Sequence, residues 1–265
     1  MSVGGGSFSA GRVFRGGANS SVPSSYYMGF WPCQQADGNA DDEQITDRSG
    51  NGAHATIGSL TSTEAWANAG FFTSIADTTH CGLLDNTYWP HRFATDSLII
   101  FGVLRATAPA ATGRFLGDGL DTTRTGFALA LTTDGALQVV VSSSAAASSF
   151  VTPTTAQPWN SLATASFLVA YDVFDYSWSM FLNGAIDKDR ITNVSSANMI
   201  LADASRTQPI AIGGRPLGSA GLLASQLRFL HAINLPGRAL PTNLAAIAQR
   251  LNAHPRLMLR DSDFS

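Results

Sequence analysis

The chain has 265 residues, of which 45% are hydrophobic and only 13% charged, with a formal net charge of −3. That length can close one large β domain around a sizeable core. The near-neutral charge excludes the basic footprint of a nucleic-acid-binding protein, and no apolar run reaches the ~18 residues of a membrane-spanning helix.

The N-terminal stretch begins Met1-Ser-Val-Gly-Gly-Gly, which lacks the basic and apolar regions of a signal peptide. Residues 1–25 are dominated by Gly and Ser and cannot bury enough surface to offset their ordering entropy. Residues 1–30 are therefore predicted to form an extended assembly arm, with Arg12, Phe14, Arg15 and Val22 as its contact-making side chains. The aromatic group Tyr26, Tyr27, Phe30 and Trp31 follows and is expected to anchor the arm. Residues 36–59 are dense in turn formers and read as loop. Cys33 and Cys81 are too few for a disulfide framework and are expected to be reduced.

A second aromatic group, Tyr88, Trp89 and His91, lies in a predicted loop before a buried strand and is a candidate glycan-stacking set. From about residue 97 the pattern is β. Leu98-Ile-Ile-Phe-Gly-Val-Leu is continuously apolar, as a strand covered on both faces should be. Phe127, Leu129 and Leu131 alternate with small residues, as do Leu137, Val139 and Val141, and Asp134-Gly135 between them signals a hairpin. Residues 165–171 and 178–182 repeat the pattern, ending at Asn183-Gly184. Ile210-Ala-Ile and residues 222–233 supply later strands. One helix is predicted, capped by Thr242, striped by Leu244, Ile247, Ala248 and Leu251, and stopped by Pro255.

An ordered series of motifs resembles the laminin-G-like, concanavalin A-like jelly roll. Asp47-Arg-Ser-Gly-Asn-Gly resembles that family's D-x-S-G-N-G loop, and Thr125-Gly-Phe-Ala-Leu-Ala-Leu-Thr-Thr-Asp-Gly its central hairpin. Pro158-Trp-Asn-Ser-Leu-Ala, Met180-Phe-Leu-Asn-Gly-Ala, Pro209-Ile-Ala-Ile-Gly-Gly and residues 240–247 follow in the family's order. The resemblance implies an all-β, two-sheet antiparallel sandwich over residues 31–258, with one short C-terminal helix and a tail at 259–265. It also implies loop calcium, for which Asp47 and Asn51 are the candidate ligands; the alternative is that Asp47 serves only the loop's backbone amides.

Catalytic patterns are missing. Glu43 and Glu64 are the only glutamates and precede the β region, so the paired carboxylates of a glycosidase would have to be Asp172 and Asp175, which read more simply as a solvated turn. The five histidines are scattered, and no nucleophile elbow, P-loop or zinc motif occurs. The leading expectation is a non-enzymatic bacteriophage virion component (head decoration, collar or tail-associated). Its partners would be other virion proteins and copies of itself, and no cofactor, nucleic acid or membrane is expected. The alternative is a lectin or adhesin module that binds a host-surface glycan; a glycoside hydrolase is the third reading.

Overall fold

The computed structural model of the chain describes residues 24–33, 44–57, 66–67, 70–73, 82–118, 126–144, 147–151, 155–192, 194, 197, 199, 209–213 and 225–265. The arm residues Arg12, Phe14, Arg15 and Val22, together with Cys81, lie outside the described residues.

In chain order the strands begin with β1 (Tyr27–Trp31), β2 (Gln44–Ile45), β3 (Ala55–Ile57), β4 (Trp66–Ala67), β5 (Gly70–Thr73) and β6 (Gly82–Leu84). The long ones follow: β7 (Asp96–Ala106), β8 (Gly113–Asp118), β9 (Gly126–Leu131), β10 (Leu137–Ser144) and β11 (Ala147–Val151). Last come β12 (Ala163–Asp172), β13 (Ser177–Leu182), β14 (Ala185–Ile191), β15 (Ile210–Ile212) and β16 (Ser225–Pro236). Among the described residues they form two antiparallel sheets. Sheet A runs β14-β13-β12-β7-β16-β5-β4, with β1 also on β16, and sheet B runs β11-β10-β9-β8-β15-β6-β3-β2. The result is a β-sandwich of jelly-roll type, as the sequence implies.

The central strands of sheet A are covered on both faces, which explains the unbroken apolar run of β7. Leu98, Ile100 and Leu104 point into the core between the sheets, while Ile99, Phe101 and Val103 point outward into a second cluster. That outer cluster is closed by helix α1 (Leu244–Ala253), whose buried stripe is Leu244, Ile247, Ala248 and Leu251. The helix does not use Thr242 as its cap. Asn243 occupies that position without a side-chain bond, and the Leu244 N–H is taken by the Pro241 carbonyl instead. Beyond α1 the chain returns across sheet A, burying Leu259 and Phe264.

Turn chemistry sets the registers. Gly135 sits at φ +82° between β9 and β10, where an added Cβ would overlap the Trp159–Asn160 backbone. Asn183 and Gly184 take φ of 50° and 78°, the double left-handed pair of a tight hairpin, and join β13 to β14. Two expectations need correction. The segment read as loop contains β2 and β3, which pair because Ile45, Ala55 and Ile57 reach the core. The arm's bound at residue 30 also shifts, since Tyr27–Trp31 is a strand of sheet A, with Trp31 in the core and its Nε1–H donated to the Ala53 carbonyl at 2.7 Å. No helix among the described residues is long and apolar enough to cross a membrane.

Candidate functional site

One end of the sandwich gathers the features able to meet a ligand. Asp96 opposite Pro236 and Asp172 opposite Ser177 mark this end in sheet A. Leu84 opposite Ile210, and Ile210 opposite Asp118, mark it in sheet B. The segment 85–95 bridges the two sheets here, and the β12–β13 turn lies beside it.

The bridge is packed underneath by aromatic rings. Trp89 stacks on Phe127, and Phe93 meets Phe127, Tyr171 and Trp178 edge-on or tilted. Tyr171 donates its hydroxyl to the Phe93 carbonyl at 2.7 Å. His91 Nδ1 lies 2.9 Å from Asn234 Oδ1, so that nitrogen carries the proton. Asn234 Nδ2 donates in turn to Asp96 Oδ2, which also accepts the Arg92 N–H. The predicted glycan set is therefore split: Trp89 and His91 are buried supports, and only Tyr88, 40% exposed on a short 3-10 turn (Asn86–Tyr88), faces solvent.

The turn contributes what sequence reasoning passed over. Phe174 is 67% exposed, the most exposed large hydrophobic side chain among the described residues. It stands between Asp172 and Asp175, which Arg190 of β14 ties together. Arg190 pairs with Asp175 and lies 3.8 Å from Asp172. Each carboxylate also accepts a backbone N–H: Asp172 from Phe174 at 3.0 Å and Asp175 from Ser177 at 3.1 Å. Asp172 itself is buried, while the turn that follows it reaches solvent at Phe174. Tyr176 and Arg190 adopt φ of 57° and 48°, a conformation side-chain-bearing residues adopt at a cost and one that clusters at ligand clamps. Arg190 stays 56% exposed and keeps guanidinium donors beyond the one it gives to Asp175.

The other candidate residues are used up structurally. Asp47 Oδ1 accepts the Phe30 and Ser49 N–H groups at 2.9 and 2.8 Å. Its Oδ2 accepts the Ser49 hydroxyl and the Ala53 N–H at 2.8 and 3.2 Å. Asn51 donates its side-chain amide to the Tyr27 carbonyl at 2.6 Å. A calcium ion takes six to eight oxygen ligands, and the four bonds that Asp47 accepts leave its carboxylate little capacity for one. Among the described residues no group of three His, Cys, Asp or Glu side chains comes together as a metal centre.

No family model matches the chain, and no curated protein matches it in sequence. Solved structures do match in fold. The sialidase of Trypanosoma rangeli in complex with sialic acid superposes with a TM-score of 0.57 at 15% identity, over 89% of this chain and 34% of that one. The binding domain of Paraclostridial Mosquitocidal Protein 1 gives 0.54 at 12% identity, over 86% of this chain and 52% of that one. The chain thus spans about a third of the sialidase and about half of the toxin domain. At these identities the likeness is one of fold, a two-sheet β-sandwich.

Proposed function

We propose that the chain is a carbohydrate-binding module that holds a neutral glycan on the rim at Phe174 and Arg190, at the end of the sandwich that also bears Tyr88. The observation that carries this is Phe174: a large ring held out in solvent, on a turn fixed by two side-chain-to-backbone bonds and an ion-pair bridge. Such a ring is a stacking platform for the C–H face of a sugar, with the guanidinium beside it as hydrogen-bond donor. Two carboxylates against one guanidinium leave the rim with one negative charge, which disfavours acidic sugars. The fold comparisons support the reading, since a sialidase solved with sialic acid and a toxin's binding domain share this sandwich, though fold alone assigns no ligand. The virion expectation rested on the low charge, the Gly/Ser arm and the missing signal-peptide and catalytic patterns; the rim favours the lectin alternative.

Asp172 and Asp175 are each committed to a backbone amide and to Arg190, so they are not presented as a free pair to a scissile bond. The module is proposed to bind without hydrolysing. A glycan microarray probed with labelled protein should retain neutral hexose or N-acetylhexosamine glycans over sialylated ones. Phe174→Ala should weaken binding at least ~10-fold while leaving the melting temperature unchanged, because the side chain packs little against its own fold. Undiminished binding by that variant would sink the rim as the site. Release of reducing ends that disappears in Asp172→Asn or Asp175→Asn would overturn the non-enzymatic part.

A further inference from the structure

β16 carries a fully buried imidazole at its middle, His231. It lies on the outer side of sheet A between its register partners Phe30 of β1 and Phe101 of β7, with ring centroids 4.3 and 5.4 Å away. The C-terminal tail closes the remaining side. His231 Nε2 is 2.7 Å from the Pro255 carbonyl oxygen, so Nε2 bears the proton. Nδ1 is then an acceptor and takes the Tyr27 hydroxyl at 3.2 Å. The Tyr27 oxygen itself accepts the Leu259 N–H at 3.0 Å. One neutral tautomer thus wires the tail to the sheet at two points, 255 and 259.

A second proton breaks the wiring. With both ring nitrogens donating, Tyr27 Oη would face two N–H groups and its own proton would lose its acceptor. The new charge would sit among Phe30, Phe101 and Tyr27. Tyr27 is the titratable group in contact, and burial holds its hydroxyl above the usual range, hence neutral. From β1 and β7 the other facing groups are rings, and from the tail a carbonyl. The charge of Asp263 acts on Tyr27, and Arg256 lies over Phe229, 5.3 Å from its centroid. The influences on His231 are burial first and the Pro255 carbonyl second, with no carboxylate among them; together they lower it from 6.5 to about 4.

We propose that His231 is an acid-sensitive latch: its protonation releases the C-terminal tail from sheet A and uncovers the apolar face of Tyr27, Phe30, Phe101 and Ile233. The sign follows from linkage. The closed state keeps the imidazole neutral, whereas the released state exposes it and binds a proton at its ordinary value. Acid therefore favours release, by roughly 20-fold between pH 7 and pH 5. Below about 4 both states are protonated and the bias stops growing.

Hydrogen exchange on the full-length protein, read by mass spectrometry and corrected for the intrinsic pH dependence of exchange, tests this. Opening of residues 255–265 should rise at least ~10-fold from pH 7 to pH 5 while β7 and β12 stay protected. His231→Gln keeps an Nε2 donor but cannot be protonated, so its tail opening should be flat with pH. A wild-type tail that opens equally at both values overturns the latch, as does a His231→Gln tail that follows the wild-type curve. Should that variant fail to fold, the wild-type comparison decides: tail and β7 opening together means general acid instability and overturns the proposal.

Discussion

Asp47 holds three buried backbone N–H groups and one hydroxyl with a single carboxylate. Those amides belong to Phe30 in sheet A and to the loop that leads into β3, so the residue pins two parts of the fold together. Each buried donor left without an acceptor costs about 1–3 kcal/mol. Asp47→Ala is therefore predicted to lower stability by about 3–5 kcal/mol, measured by urea unfolding, with Asp47→Asn costing less because one acceptor oxygen remains. The same saturation predicts that excess chelator leaves the melting temperature unchanged, since a cation that the Asp47 carboxylate does not hold adds nothing to the folded state.

At the scale of elements, α1 makes the long strands of sheet A interior on both sides. Truncating its stripe, for instance Leu251→Ala, should cost about 2–4 kcal/mol by thermal or chemical unfolding, through lost burial and the cavity left behind. Gly135→Ala should cost a comparable amount, because the left-handed backbone and the Trp159–Asn160 contact oppose any side chain there. These elements were legible in the sequence because their signals are local: period-two alternation in β9 and β10, Asp-Gly and Asn-Gly turns, a 3.6-residue stripe in α1. The short strands β2 to β6 were not, since each holds few residues and owes its existence to partners distant in sequence. The site was half legible. Loop aromatics at 88–91 were visible, but which ring faces water depends on the strand ends that the loop joins. Asp172 and Asp175 were noticed as carboxylates, whereas Arg190 reaches them only through the β13–β14 register.

At the scale of the whole molecule, the chain closes on itself where the domain begins and ends. Ser24 donates its N–H to the Leu259 carbonyl at 3.0 Å and its hydroxyl to Asp261 at 2.6 Å. Tyr26 meets the Phe264 ring edge-on, centroids 5.6 Å apart, and Arg238 bonds both the Tyr26 hydroxyl and the Phe264 carbonyl. A chain starting at Ser24 keeps every contact described above and should melt as the full chain does. The two ends being neighbours, the order of the polypeptide can also be cut and rejoined. Linking Ser265 to Ser24 through a short Gly/Ser spacer, and opening the chain at the exposed 160–162 loop, should give a circular permutant with the same melting temperature within a few degrees. For the same reason the sandwich can be spliced into a surface loop of an unrelated host protein as a cassette. Host and guest would then share only one narrow neck, and each could fold without straining the other.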